Sequence, residues 1–405
     1  MQFYFKAKKS DGKITDGVQD APDKLTLAQD LRKKGLSLFS AERAEGNKII
    51  QFLKWLNETV IIVGLHEKIV FAKNLSAMIN AGLSISRALE ILEKQTNNKK
   101  LKQALGGILN GISQGKTLSE GLQDYPRIFS PLFVAMVHAG EESGGLSVSL
   151  KEISLHLEQS YILLRKVRGA LIYPAIVVAA IIIIGILMLI FVVPTLTSTF
   201  KELNVALPVS TRFIIKLSDI LSNYTIISLV GLIALGITFF WAIRTKKGGK
   251  FFDFVILRIP FIGGLVREVN TARTTRTLSS LITAGVPITQ STSITTDVLQ
   301  NFYYKEALFL ATGKIEKGAT IASVFKENTF LYPIMVGEMI EVGEETGKLS
   351  EMLLDVAHFY EEQVSEATKD MSTIIEPVLM LFIGGAVGFF AISMISPIYS
   401  LTGSI

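Results

Sequence analysis

Two pairs of adjacent carboxylates are the side chains here best suited to binding chemistry. They are Glu141-Glu142 and Glu344-Glu345, each inside a glycine-bounded motif: Gly140-Glu-Glu-Ser-Gly144-Gly-Leu146 and Gly343-Glu-Glu-Thr-Gly347-Lys-Leu349. Such a pair could grip a basic partner or a hard cation. Beside a glycine turn it could equally cap the next helix, whose first N–H groups lack intrahelical acceptors. A further carboxylate, Glu376, precedes Pro377 at the edge of a long uncharged run. An ionisable group there is a functional candidate, because charge is costly near hydrocarbon.

Catalytic, cofactor and metal patterns are not expected. The four histidines, His66, His138, His156 and His358, lack metal-ligand spacing and read as ordinary core or surface residues. With no cysteine, neither a disulfide frame nor a thiolate metal site can form. Gly111-Ile-Ser-Gln-Gly115-Lys116-Thr117 resembles a phosphate loop but has three residues between its glycines, where the loop needs four. Its simpler reading is that Gly115 ends one helix and Thr117 with Glu120 forms a capping box for the next. A net charge of +5 on 405 residues gives no reason to expect direct nucleic-acid binding, and the basic clusters flank apolar runs.

The elements that must position the carboxylates come from an internal repeat. Gly140 and Gly343, Pro174 and Pro377, and Pro194 and Pro397 are all separated by 203 positions. In the same register Ala81-Gly82 matches Ala284-Gly285, Gly115 matches Gly318, and Phe129 matches Tyr332. The ladder Leu146, Leu150, Ile153 matches Leu349, Leu353, Val356, a spacing that buries one helical stripe. Each copy is expected to be a helical bundle whose last helix runs into a bilayer, with Gly82 and Gly285 ending helices at positive φ. Tyr173, an amphipathic residue, stands in the first copy where Glu376 stands in the second.

Uncharged length sets the expected spans. No charge interrupts the chain between Arg168 and Lys201, between Asp219 and Arg244, or after Glu376, and each interval exceeds the roughly 20 residues that cross a bilayer. Arg165, Lys166 and Arg168 precede the first interval; Arg244, Lys246, Lys247 and Lys250 follow the second. Positive-inside bias puts both bundles in the cytoplasm. The N-terminus shows no signal-peptide pattern and is expected there too, with the C-terminus external.

The fold class expected is mainly α, a polytopic membrane protein with three transmembrane helices, two homologous cytoplasmic helical bundles and a small N-terminal α/β unit. The α/β unit spans 1–48, with strands near Phe3 to Phe5, Ile14 to Val18 and Leu36 to Phe39, an Asp11-Gly12 hairpin turn, and a helix from Thr26 to Gly35. A linker or interfacial helix covers 49–67, the first bundle 68–168 and the first span 169–194. An external loop over 195–222, a second span over 223–243 and a cytoplasmic linker over 244–270 lead to the second bundle over 271–372. A third span over 373–398 and an external tail over 399–405 complete the chain.

On these residues the chain resembles the type II secretion F family, the inner-membrane platform proteins of type IV pilus and type II secretion machines. The resemblance rests on Asp11-Gly12, Leu31-Arg32-Lys33-Lys34-Gly35, both Ala-Gly turns, both acidic motifs, Lys166 to Tyr173-Pro174 through Pro194, and Glu376-Pro377. Lys73-Asn74 departs from the commoner Arg-Gln pair. The resemblance implies a scaffold without catalysis or cofactor, ATP being hydrolysed by a hexameric cytoplasmic assembly ATPase that it binds. It implies pilin or pseudopilin subunits in the membrane, other inner-membrane assembly proteins and further copies of itself as partners. Transport would want more spans and mid-membrane ionisable groups, and a membrane hydrolase would want a nucleophile and base at recognisable spacing.

Overall fold

Leu27 and Leu31, four apart on one helical face, are fully buried and fix the N-terminal unit's helix α1 (Lys24–Lys33) on its sheet. The sheet is antiparallel, in the order β2 (Ile14–Asp20), β1 (Gln2–Lys9), β3 (Leu36–Arg43). Gly35, at φ 73°, makes the turn from helix to last strand. The computed structural model describes residues 2–9, 14–33, 35–43, 63–202 and 208–402, so the expected Asp11-Gly12 turn and most of the 49–67 linker lie outside the described residues.

From Val63 on, the described chain is helical. The first copy runs through α2 (Leu65–Asn80), α3 (Ile85–Gln95), α4 (Lys99–Ser113), α5 (Leu118–Gln123), α6 (Pro131–Glu142) and α7 (Leu146–Leu187). Helix α7 continues without a break through a π-helical turn, Met188–Val192, into α8 (Val193–Glu202). Then come α9 (Val209–Asn223), α10 (Thr225–Arg244) and α11 (Lys246–Arg258). The second copy is α12 (Ile262–Thr283), α13 (Ile288–Val298), α14 (Phe302–Ile315), α15 (Ile321–Glu327), α16 (Ile334–Thr346) and α17 (Leu349–Thr402). Gly82 and Gly285 leave α2 and α12 at φ 85° and 88°, and Ser84 Oγ accepts from Arg87 N at 3.4 Å to start α3.

Only the ends of the acidic motifs are turns. Helices α6 and α16 run through Gly140 and Gly343, and the left-handed turn falls at Gly144 and Gly347, both at φ 71°. The earlier glycines are needed for close approach. A Cβ on Gly140 would lie 2.5 Å from Ser149 Oγ, and one on Gly343 2.9 Å from Leu349 Cα.

The copies are alike in outline and differ in their cores. Phe71, Phe129 and Phe133 form the aromatic centre of the first, with ring centroids 5.1 to 6.2 Å apart. In the second, Tyr332 replaces Phe129 and meets Tyr304 and Phe325 edge to face, while Thr274, in place of Phe71, lies 3.3 Å from the Tyr332 hydroxyl. The larger difference is between α2 and α12. The first buries one apolar stripe, whereas α12 is enclosed from Asn270 to Leu281 apart from Arg273.

Enclosure is helped by hydroxyls that bond within α12 and, at Ser279, to the Ser350 carbonyl of α17 at 2.8 Å. Thr274, Thr275 and Thr277 donate to the carbonyls of Asn270, Thr271 and Arg273, four residues back, at 2.7, 3.0 and 2.6 Å. Their small side chains let α7 and α17 both pack against α12. To α17, α12 adds a bidentate ion pair: Arg276 Nε and Nη2 donate to Glu361 at 2.8 and 2.6 Å, with both side chains nearly buried. On the other side His156 of α7 meets Ser280, Nδ1 to Oγ 3.3 Å. Leu281, Ala284, Val286 and Ile294 of the second copy belong to the first copy's core.

The helix formed by α7, the π turn and α8, and helix α17, are each long and apolar enough to cross a membrane, and only 6% and 11% of their apolar stretches are buried within the structure. That exposure separates them from the core helices of a soluble protein. Helix α10 is uncharged up to Arg244.

His156 ties stability to pH. Burial first, then the nearby Arg276 and Arg273, lower its pKa to about 4. The unfolded chain takes up this proton near 6.5 while the folded protein resists it until about 4, so the stability it contributes is present above 6.5 and lost on acidification through that window. His156→Gln is expected to flatten the fall of Tm with pH between about 6.5 and about 4, by up to ~3 kcal/mol in stability. An unchanged slope would show that this ring is not the acid-sensitive group.

Candidate partner-binding site

The short helices α5 and α15 have six and seven residues, too few to hold themselves together. Their unpaired N–H groups determine what the acidic motifs do. In α5, Thr117 N donates to Glu120 Oε2 at 2.9 Å and Glu120 N donates to Thr117 Oγ1 at 3.2 Å, forming the expected capping box. The two N–H groups between them, of Leu118 and Ser119, donate to Glu141 Oε1 and Oε2 at 2.6 and 3.0 Å, and Ser119 Oγ donates to the same carboxylate at 2.5 Å. All four orphan donors of α5 are thereby satisfied.

The second copy repeats the device. Ile321 N and Ala322 N donate to Glu344 Oε1 and Oε2 at 2.7 and 2.9 Å, and Ser323 N donates to Thr320 Oγ1 at 3.3 Å. The helix capped is the one 23 residues earlier, not the one that follows. A carboxylate across a helix N-terminus also meets the positive end of its dipole. Glu141 and Glu344 are thus engaged inside the protein.

Their neighbours point outward. Glu142 and Glu345 are exposed, and Glu142 is 3.5 Å from the equally exposed His138. Around the second motif the sequence is rich in acid, and the structure sorts it. Glu361 is held by Arg276, while Glu338 and Glu341 share Lys326 at 3.0 and 2.6 Å. Glu345, Glu351, Asp355, Glu362 and Glu366 remain exposed, the last four at spacings of 4, 7 and 4 on one face of α17. The matching positions of α7 are Val148, Glu152, Gln159 and Leu163, so the stripe belongs to the second copy alone.

The other sequence candidates fall elsewhere. Lys116 pairs with Asp124 at 2.7 Å, which gives the glycine-lysine loop a structural role. Glu376 is exposed and makes no ion pair or hydrogen bond among the described residues, far along α17 from the acidic motif. Tyr173 is half exposed and Pro174 lies within α7. Pro194 opens α8, and Pro397 lies inside α17. Among the described residues no group of three or more acidic or histidine side chains is placed to hold a metal ion.

Glu344→Gln puts an amide where one of two N–H donors needs an acceptor, and is expected to destabilise the second bundle by about 1–3 kcal/mol. Glu345→Gln should leave thermal unfolding unchanged. Equal effects in the two variants would contradict this division of roles.

The family profile described as type II secretion system (T2SS), protein F, matches residues 71–194 and again 274–397, two copies in the register of the internal repeat. The chain is 34% identical over 403 residues to the type IV pilus assembly protein PilC of Thermus thermophilus, covering all of this chain and 98% of that protein. It is 33% identical over 409 residues to the protein of the same name from Myxococcus xanthus, covering all of this chain and 96% of that protein. With the type II secretion system protein F of Xanthomonas campestris it shares 29% identity over 413 residues, covering all of this chain and 99% of that protein.

Proposed function

The chain belongs to the type II secretion system protein F family, and from that premise we propose how its structure serves a platform of type IV pilus or type II secretion assembly in the inner membrane. The platform is a scaffold, without an enzymatic role. The observation that carries its mechanism is continuity of helix. In each copy the last helix of the bundle is itself the apolar helix, unbroken from Leu146 to Glu202 and from Leu349 to Thr402. At 1.5 Å per residue these reach about 80 Å each. Force or rotation applied to a bundle passes into the membrane through a stiff rod.

In this reading α10 is a third span. Its uncharged length, its exposed Phe239, Phe240 and Trp241 next to Arg244, and the basic residues that follow all support it. The basic flanks put both bundles on the cytoplasmic side and the segment between the first two spans outside. The outward carboxylates, Glu142 and Glu345 with the α17 stripe, then face the hexameric assembly ATPase. The exposed apolar surfaces of the spans face pilin or pseudopilin subunits, other inner-membrane assembly proteins and further copies of this chain.

Glu376 is the proposed contact for a cationic group at the membrane surface, from a pilin N-terminus or a neighbouring basic flank. Pro377 supports it, since a proline has no N–H for the carbonyl of Thr373 and leaves the backbone there polar. Glu376→Gln is expected to reduce filament assembly while membrane insertion and ATPase binding persist; wild-type assembly would remove the residue from the mechanism. Reporter fusions after Lys250 should read cytoplasmic and those at Val209 external. Pulldown of the ATPase by the full-length protein is expected to drop in the Glu142→Gln, Glu345→Gln double variant, whose Tm should not change. Unaltered binding would move the ATPase contact to another surface.

A further inference from the structure

Helix α9, within the stretch expected as an external loop, has three faces. Thr211, Ile214 and Ser218 are buried, at spacings of 3 and 4. Val209, Phe213, Leu217 and Ile220 form an exposed apolar face, with Phe213 63% exposed. Arg212, Lys216 and Asp219 form an exposed charged flank between the two.

The buried face meets the two long helices where each contains a proline. In the π turn Val193 N donates to Met188 O, five residues back, so the next donor in that register would be Pro194, to the carbonyl of Leu189. Proline has no N–H. Ser218 Oγ of α9 donates to Leu189 O at 2.5 Å, and Ser222 Oγ reaches the adjacent Ile190 O at 3.5 Å. In α17 the proline at 397 withholds the donor from the carbonyl four residues earlier, that of Ser393, and Thr211 Oγ1 of α9 donates there at 2.5 Å. Ser393 and Ile190 are the same position in the repeat. Ile214, between the two hydroxyls, packs with Val193 and Met394.

These carbonyls lie within the uncharged runs of the two long helices, near their C-terminal ends, where a proline leaves each without its helical donor. The apolar face of α9 is continuous in character with the exposed Phe191 and Ile392 of those helices. A helix with one apolar and one charged flank lies in the interface plane, its basic side chains reaching the headgroups. We propose that α9 is a lipid-facing clasp: Thr211 and Ser218 supply the hydrogen bonds that Pro397 and Pro194 withhold, joining the two spans, while Val209, Phe213, Leu217 and Ile220 contact acyl chains of the bilayer. The proposal rests on the membrane reading of the two long helices.

The chain has no cysteine, so single cysteines can be spin-labelled in the full-length protein in lipid nanodiscs. Nitroxides at Phe213, Leu217 and Ile220 are expected to be several-fold more accessible to oxygen than to a water-soluble nickel(II) complex, as at Ile183 in the first span, with the order reversed at Arg212 and Asp219. Nickel-accessible labels at Phe213 and Leu217, with Ile183 still in lipid, would overturn the lipid contact. Nickel access at Ile183 itself would overturn the membrane reading. For the hydrogen bonds, the distance distribution between labels at Phe213 and Ile392 should be narrow, should broaden at least twofold in the Thr211→Val, Ser218→Ala double variant, and should stay narrow in Thr211→Ser, Ser218→Thr, which keeps both donors. An unchanged width in the hydroxyl-free variant would overturn the clasp.

Discussion

The burial of α12 is the constraint on which the helical part depends. A helix carrying threonine at 271, 274, 275 and 277, serine at 279 and 280, and arginine at 273 and 276 does not look like a core element. It becomes one because Thr274, Thr275 and Thr277 bond to their own helix, Ser279 and Ser280 pair with α17 and α7, and Arg276 is neutralised by Glu361. Once enclosed, it contacts α7 and α17 together, and the stems of both long apolar helices share one support. A helix with larger apolar side chains would separate those stems.

The acidic motifs show a similar economy of position. Of two adjacent glutamates, the first turns inward and completes a short helix 23 residues away, and the second is left outside. The buried Gly140 and Gly343 set how closely the stem helix approaches, and Gly144 and Gly347 turn the chain into it. Fold and proposed docking thus use neighbouring atoms of one motif. This separation makes the binding proposal testable without disturbing the bundle.

Local features were legible in the sequence. The Thr117 and Glu120 capping box and the positive-φ glycines at 82 and 285 depend on residues within four positions of one another, and the repeat register on motifs spelled alike 203 positions apart. Partnerships across the chain were not legible. Nothing in the spelling of Gly-Glu-Glu says that the first glutamate reaches backwards, although the equal separation of Thr117 from Glu141 and Thr320 from Glu344 was a usable signal. Arg276 and Glu361 are 85 residues apart, and Thr211 and Ser393 are 182 apart. The prolines at 194 and 397 were visible as repeat markers, but the hydroxyls beside them lie outside both copies, in α9. Of the second copy's acidic residues, Glu338, Glu341, Glu351 and Glu361 prove to be paired, with partners that their spacing alone does not single out.

The central claim is that the two copies form one body through α12, so that a load on either bundle reaches both long helices. Amide hydrogen exchange on the full-length protein in nanodiscs tests it most directly. The amides of Thr271 to Leu281 are expected to exchange more slowly than the matching residues 68 to 78 of α2, and Arg276→Met should speed exchange in α7 as well as in α17. Exchange in α12 as fast as in α2, or an effect of Arg276→Met confined to the second copy, would contradict the account.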